Sequence, residues 1–302
     1  MKLLVIPVLL LSTILPAQVV PHAKGVAHTE QADIGYETIG SLGAAVPVIA
    51  VNGGPGLSHA YMVQNALWER VGKQRLVVLY DQRGTGASKH IKPGASQSME
   101  AQVGDLEAVR QALGLDKVAL VGDSYGGLLS MAYAAAHPDH VAKLVLSDSP
   151  GPSWKSIVHD LPDVFPDIQE QGAQEAKKLG DSTDEAARAG LRNHFRMIFY
   201  SPEKRDAYMS RMGDLGFEPA VSVAVGKATA DLDLTDKLPG FKFPVLVITG
   251  RYDMNVAPLT AWRLAHAIPG AKIVFFEKSG HLPSYEEPEK YLSVLEDFLN
   301  GR

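Results

Sequence analysis

The sequence predicts an α/β fold, with a mostly parallel central sheet, helices on both faces and an inserted helical cap. Two patterns lead to this prediction. Along most of the chain, short apolar runs typical of buried strands alternate with segments in which apolar residues recur at helical spacing. Between residues 151 and 241 no strand-like run occurs, and helical segments follow one another instead. We therefore expect a core formed by residues 18–150 and 242–302, with the cap at 151–241.

The composition limits the classes of function. The 302 residues are 46% hydrophobic and 21% charged, which suits one large globular domain with an insertion. The net charge of −5, without any long run of Lys and Arg, argues against nucleic acid as a partner. Because the chain has no cysteine, disulfides, a thiolate nucleophile and a Cys-ligated zinc ion are excluded.

Residues 1–17 resemble a secretory signal peptide. Lys2 supplies a positive charge, an apolar stretch runs from Leu3 to Leu11, and Ala17 suits the position before a cleavage site, although Leu15 fits such a site less well. The stretch is too short to cross a bilayer comfortably, which argues against a permanent anchor. We therefore expect export to the periplasm or the medium, with no stable membrane insertion after processing. The alternative is a buried first strand or helix of the fold.

The first part of the predicted core is a hairpin followed by alternating strands and helices. Apolar and polar residues alternate between Gly25 and Gly40, which is typical of an antiparallel hairpin. Ser98 is placed to cap a helix in which apolar residues recur every three or four positions. The predicted strands are 46–51, 75–80, 117–121 and 141–146, and the predicted helices are 62–71, 98–113 and 128–137.

The cap and the second part of the core are predicted in the same way. Aromatic and methionine side chains of the cap recur mostly at helical spacing, so we expect them to be core contacts. The predicted cap helices are 184–200, 202–212 and 219–230. The core then resumes with strands at 243–249 and 272–276 and helices at 259–267 and 288–299.

The unusual loops of this chain follow predicted strands, at the edge of a parallel sheet where ligands bind. They lie at Asn52, Asp81, Ser124 and Asp148. The third contains the run Gly122-Asp123-Ser124-Tyr125-Gly126-Gly127 between a strand and a helix. A sharp strand-to-helix turn leaves the serine exposed on a strained backbone, and the flanking glycines let the two elements approach. We therefore predict that Ser124 is a nucleophile.

A serine nucleophile needs a base and a group that orients the base. Of the ten histidines, His281 is the candidate base, because it directly follows the last predicted strand. Asp253 also follows a strand, and the chain order Ser124, Asp253, His281 suits a triad supplied by successive sheet connections. Asp148 is the alternative acid, and its other expected role is to cap the entry to the cap region. Asp123 is expected to face away from the base.

Acyl transfer also needs amide donors where the oxyanion forms. The amide of Tyr125 is one candidate, because Tyr125 follows the nucleophile and begins a helix. The second candidate is the amide of Gly54, in a loop whose three glycines around one proline exceed what a plain tight turn requires. No metal ion or organic cofactor is implied.

These motifs resemble those of the α/β-hydrolases, and more narrowly of their proline iminopeptidase branch. That branch carries a His-Gly-Gly-Pro-Gly oxyanion loop, an Asp-Gln-Arg-Gly-x-Gly-x-Ser stretch and a Gly-x-Ser-x-Gly-Gly elbow. The resemblance runs from about residue 34 to 300 and is weakest in the cap. Asn52 replaces the histidine of the family loop, which leaves the Gly54 amide available. The matching segments are 52–56, 81–88 and 122–127, with late Gly-Arg-x-Asp and Gly-His pieces at 250–253 and 280–281.

The resemblance implies a serine hydrolase that releases N-terminal residues from short peptides through an acyl-enzyme on Ser124. In this branch, acidic cap residues bind the free amino terminus of the substrate. The cap offers Glu203, Asp206, Asp214 and Glu218, none of which matches a family motif. The alternatives are a carboxylesterase or lactonase of the same fold, which an exported location favours, and a ligand-binding relative without catalysis. In each case the expected partner is a small molecule or a short peptide.

Overall fold

A computed structural model describes residues 20–213 and 215–302. The predicted leader, residues 1–17, and the cap residue Asp214 lie outside the described residues. Among the helices that are described, none combines the length and apolar character needed to cross a membrane.

The described residues form one eight-stranded sheet. Its strands are β1 (His22–His28), β2 (Asp33–Ile39), β3 (Val48–Val51), β4 (Val77–Tyr80), β5 (Val118–Asp123), β6 (Val141–Ser147), β7 (Val245–Gly250) and β8 (Lys272–Phe276). They are arranged in the order β1-β2-β4-β3-β5-β6-β7-β8. The predicted hairpin is confirmed, because β1 and β2 pair antiparallel, as do β2 and β4. All pairs from β4 to β8 are parallel, which confirms the mostly parallel sheet.

Helices cover both faces of the sheet, as the continuous apolar strands predict. The helices of the core are α1 (Leu67–Gly72), α2 (Met99–Ala112), α3 (Tyr125–Ala136), α9 (Pro258–Ala267), α10 (Pro283–Glu286) and α11 (Pro288–Leu299). Successive strand residues pack on opposite sides: Leu120 lies in the cluster with α2 and α3, and Val121 in the cluster with α1 and α11. Ser98 caps α2 as expected, because its hydroxyl accepts from the amide of Ala101.

The inserted region is helical in the structure. Its helices are α4 (Leu161–Val164), α5 (Pro166–Leu179), α6 (Asp184–Met197), α7 (Pro202–Arg211) and α8 (Pro219–Ala228). The sequence prediction missed α4 and α5: α4 has only four residues, and α5 has no buried residue and few large apolar side chains. Phe195, Met197 and Tyr208 pack in a cap cluster, as expected for core contacts, whereas Tyr200 is exposed.

Candidate active site

The turn between β5 and α3 places Ser124 at the carboxyl edge of the sheet. Its φ is 51°, a left-handed conformation that is strained for serine, as the elbow motif predicts. The Ser124 amide donates to the carbonyl of Ser147 at 2.9 Å, which fixes the turn to the neighbouring strand. A Cβ atom at position 126 would collide with the carbonyl oxygens of Val51 and Asn52. Only glycine therefore lets α3 approach β3 this closely.

The structure brings the three predicted residues together as one hydrogen-bonded triad. The Oγ of Ser124 lies 3.0 Å from Nε2 of His281, and Nδ1 of His281 lies 2.7 Å from Oδ2 of Asp253. His281 and Asp253 are buried, at 4% and 0% exposure. The other carboxylate oxygen of Asp253 accepts from the amides of Asn255 and Val256, both at 2.9 Å. These bonds hold the carboxylate so that it faces the imidazole.

The charge around His281 favours its protonated form. Burial lowers the pKa of His281, but the charge and hydrogen bond of Asp253 and the charge of Asp123 outweigh that effect and raise the pKa above 6.5. Nδ1 faces a carboxylate and carries the proton in the neutral ring, so Nε2 is free to accept the Ser124 proton. Asn255, which the sequence reasoning missed, also reaches this nitrogen, with its side-chain amide nitrogen at 3.2 Å.

Asp148, the alternative acid, has a structural contact instead. Its Oδ1 accepts from the amide of Gly250 at 2.9 Å, and its Oδ2 accepts from the hydroxyl of Ser147 at 3.0 Å. The side chain therefore ties the end of β6 to the end of β7, and the expected capping of the cap entry is wrong. Burial and the nearby charges of Asp253 and Asp123 raise the pKa of Asp148 well above its ordinary range. Such a carboxyl group is poorly suited to stabilise an imidazolium.

The two predicted oxyanion donors border the same cavity as Ser124. Tyr125 is the first residue of α3, so its amide has no partner within the helix. Gly54 has a φ of 130°, a conformation that favours glycine, and its amide has no acceptor among the described residues. Both amides are therefore available to an oxyanion that forms beside Ser124.

The oxyanion loop is held by three polar side chains. Asn52, which replaces the family histidine, donates through Nδ2 to the carbonyl of Leu57 at 2.8 Å, and Gln82 donates to the carbonyl of Asn52 at 2.6 Å. The hydroxyl of Tyr61 accepts from the amide of Gly53 and donates to Asp123, both at 2.5 Å. The Asp123 carboxylate thus bonds to Tyr61 and not to His281. Sequence reasoning missed Tyr61, because nothing in its local pattern indicates this long-range bond.

A cavity of about 600 Å³ lies between Ser124 and the cap. Its floor includes Ser124, His281 and Asp123, and Asp123 is the one carboxylate among the described residues that line the cavity. Asp253 lies behind His281 and does not border the cavity. The cap forms the roof of the cavity. One face of α6 contributes side chains to it, and so do segments of the cap that lie outside its α-helices. The principal roof residues are Trp154, Ile157, Leu191, His194, Phe195 and Phe217. The roof is therefore mainly apolar.

The acidic cap residues named from the sequence do not line this cavity, as far as they are described. Glu203 and Asp206 are exposed on α7, and Asp206 pairs with Arg205 at 2.8 Å. Glu218 forms an ion pair with Lys89 at 2.7 Å and borders a separate cleft. None of these three carboxylates is placed to meet a substrate amine beside Ser124.

Among the described residues, one cluster has the donor groups that a metal ion would need. Oxygen and nitrogen atoms of Asp148, Asp253 and His281 lie within 4.8 Å of one another. Each of these side chains is engaged elsewhere: the His281 ring bonds to Asp253, and Asp148 bonds to Gly250. The cluster is accounted for by the triad and the strand contact beside it.

A sequence profile of the α/β-hydrolase fold matches residues 46–288. The chain belongs to the α/β-hydrolase family. Within that family it is similar to proline iminopeptidases: the enzyme of Lactobacillus delbrueckii subsp. bulgaricus is 30% identical over 276 residues, which cover 86% of this chain and 92% of the relative.

Solved esterase structures have the same fold. An esterase from Thermogutta terrifontis is 25% identical with a TM-score of 0.67, over 93% of this chain and 98% of the other. The esterase RhEst1 from Rhodococcus sp. ECU1013 is 22% identical with a TM-score of 0.76, over 92% of this chain and 98% of the other, a likeness that concerns the fold alone. Peptidase and esterase relatives alike are hydrolases, whereas their substrates differ.

Proposed function

We propose that the chain is a serine hydrolase that forms an acyl-enzyme on Ser124. The observation that carries the proposal is the hydrogen-bonded triad of Ser124, His281 and Asp253 at the floor of a cavity. Gly54 and Tyr125, whose amides are the oxyanion donors, border the same cavity. A nucleophile, a base, an orienting acid and oxyanion donors in one cleft match the requirements of acyl transfer.

In this mechanism the Oγ of Ser124 attacks the substrate carbonyl carbon while its proton passes to Nε2 of His281. The amides of Gly54 and Tyr125 stabilise the negative oxygen of the tetrahedral intermediate. The intermediate then expels the leaving group, which takes the proton from His281, and the acyl group stays on Ser124. A water molecule that gives its proton to His281 releases the acid and restores the serine.

The nucleophile is tested by Ser124→Ala, which we expect to lower kcat by at least about 1,000-fold while the fold is kept. Ser130→Ala is the matched control, because Ser130 is a buried serine of α3 whose hydroxyl has no hydrogen-bond partner among the described residues. A fluorophosphonate probe should label the wild-type chain and Ser130→Ala, but not Ser124→Ala. A well-folded wild-type chain without a Ser124 adduct would favour a ligand-binding role over catalysis.

For the substrate, the cavity roof favours an ester or lactone with an uncharged acyl group. A protonated amine buried under the cap would need a carboxylate partner, and the described roof residues provide none. Apolar side chains such as Leu191 and Phe217 suit an alkyl or aryl group. The family relatives that are esterases agree with this proposal.

The second candidate is an aminopeptidase similar to the proline iminopeptidases, favoured by the 30% identical relative. In that case Asp123 is the cavity carboxylate that remains for the amino terminus. Burial raises the pKa of Asp123 to about 6, so the group is largely ionised above neutral pH. Its hydrogen bond to Tyr61 would have to be shared with the substrate amine.

The two candidates differ in how they treat a charged amine. We would compare kcat/KM for proline β-naphthylamide, its N-acetylated form and a p-nitrophenyl butyrate ester. An ester hydrolase should cleave the butyrate well and should not prefer the free amine. A large preference for the free amine over the acetylated amide, with poor turnover of the ester, would establish the aminopeptidase instead.

A further inference from the structure

His194 is a polar residue of the cavity that the catalytic steps do not use. It lies on α6, the cap helix whose positions 187, 190, 191 and 194 form one face and border the cavity above Ser124. The other three residues of this face are Ala187, Gly190 and Leu191. Among them, the imidazole is the one side chain able to form a hydrogen bond with a substrate.

The ring nitrogens of His194 have no hydrogen-bond partner among the described residues, and the ring packs edge-to-face with Phe195, at 6.3 Å between centroids. The His194 side chain is partly buried, and it borders a cavity whose roof is mainly apolar. A substrate that fills this space without a polar group there would strip water from the imidazole and leave it unpaired, which costs free energy.

The imidazole carries no charge near neutral pH. Burial, followed by the positive charges of His281 and His159, lowers the pKa of His194 to about 4. A neutral ring offers one N–H donor and one acceptor, so it matches a hydroxyl or carbonyl group. It provides no counter-charge for an ammonium or carboxylate group.

The other ionisable groups around the cavity are already bonded to protein groups. His159 donates through Nδ1 to the carbonyl of Asn255 at 2.9 Å, Asp123 accepts from Tyr61, and His281 is paired with Asp253. His194 therefore remains as the unpaired polar side chain of the described α6 face.

We propose that His194 determines specificity by forming a hydrogen bond to an uncharged hydroxyl or carbonyl group on the part of the substrate beneath the cap. The proposal rests on the acyl-enzyme chemistry at Ser124 and narrows its substrates to small polar, uncharged esters and lactones. A substrate with such a group satisfies the imidazole, and one without it leaves the imidazole unpaired.

The test compares p-nitrophenyl butyrate with its 2-hydroxy and 3-hydroxy analogues. For each variant the measured quantity is the ratio of kcat/KM for the better hydroxy ester to kcat/KM for the plain ester. His194→Phe keeps a ring but removes both nitrogens, and His194→Gln keeps a donor and an acceptor. We expect the ratio to fall about tenfold in His194→Phe, mainly through KM, and to be largely retained in His194→Gln.

An unchanged ratio in His194→Phe would overturn the proposal, as would an equal loss on both esters, since that indicates packing alone. Fluorophosphonate labelling of Ser124 in each variant separates this result from a failure of the catalytic proposal. In a second arm, His194→Glu places a carboxylate under the cap. It should raise turnover of proline β-naphthylamide relative to its N-acetylated form, and a wild-type chain that already prefers the free amine strongly would contradict an uncharged substrate.

Discussion

At the scale of single residues, the proposed triad of Ser124, His281 and Asp253 depends on charges that lie next to it. In the proposed mechanism His281 must be neutral at Nε2 to accept the serine proton, and the carboxylates of Asp253 and Asp123 raise its pKa. We therefore expect kcat/KM to fall on acidification, with a midpoint above 6.5, the ordinary value for imidazole.

Asp123→Asn tests this coupling. The amide keeps an oxygen that can accept from the Tyr61 hydroxyl, but the negative charge is gone, so the pKa of His281 should fall. The acidic limb of the kcat/KM profile should then move to lower pH. Asp139→Asn is the control, because Asp139 is an exposed aspartate beyond the end of α3 and should leave the limb in place. A shift in the opposite direction in Asp123→Asn would contradict the assignment.

The residue type alone did not determine which of two aspartates is the acid that orients the base. Asp148 and Asp253 both follow strands, and the order of motifs favoured Asp253. The structure distinguishes the two aspartates by their hydrogen-bond partners, because Asp148 bonds to the Gly250 amide whereas Asp253 bonds to His281. These partners come from other strands and loops, so the local sequence around each aspartate does not contain them.

At the scale of elements, the stretch 81–88 acts as a scaffold for the oxyanion loop. Asp81 accepts from the amides of His59 and Ala87 at 2.9 and 2.7 Å, and Gln82 bonds to the carbonyl of Asn52. Arg83 forms a buried bidentate ion pair with Asp105 of α2, with both N–O distances at 2.6 Å. The family motif is thus explained by support of the loop, two residues away from the Gly54 amide.

We expect Gln82→Met to loosen that loop. The substitution keeps the length of the side chain and leaves the buried carbonyl of Asn52 without its donor, which costs about 1–3 kcal/mol. The free energy of unfolding should fall by this amount in urea, and kcat should fall with little change in KM, because an oxyanion donor acts in the transition state. Gln111→Met, at an exposed position, is the control. Unaltered stability and kcat in Gln82→Met would contradict the proposal that Gln82 supports the loop.

At the scale of the whole molecule, one carboxylate joins the cap to the loop that carries His281. Glu286 is fully buried, and it accepts from the amide of Gly280 at 2.6 Å and from the amides of Tyr200 and Ser201 at 3.0 and 2.8 Å. The His281 amide in turn donates to the carbonyl of Ile198, at the end of α6, at 2.7 Å. The position of the cap and the position of His281 are therefore linked.

Glu286→Gln should weaken this link, since the amide NH₂ would face backbone donors. We expect a loss of about 1–3 kcal/mol in stability, and faster hydrogen exchange at residues 198–204 and 279–281 than in the wild-type chain. Glu289→Gln is the matched control, because Glu289 pairs with Arg70 on the surface. Equal exchange in both variants would show that the cap is held by other contacts.

The predicted leader also concerns the whole molecule and stays a prediction. If residues 1–17 are removed on export, the chain isolated from its own host should begin near Gln18. Intact-mass measurement decides this. Retention of Met1 and the apolar stretch on a cytoplasmic protein would overturn it.

The sequence by itself determined the alternation of strands and helices, the elbow at Ser124 and the place of His281 after the last strand. These features depend on local periodicity, on glycine and on the order of motifs along the chain, all of which are written in consecutive residues. The family resemblance adds the α/β-hydrolase fold, which the profile match at residues 46–288 confirms.

The tertiary structure decided which side chains meet. It placed Tyr61 in a hydrogen bond with Asp123 and Asp148 in a hydrogen bond with Gly250. It also directed the face of α6 that carries His194 toward Ser124, while the acidic residues Glu203 and Asp206 stayed exposed. The charge of the cavity depends on which face of each cap helix packs inward. That choice is set by contacts between distant segments, so a count of acidic residues in the cap sequence did not predict it.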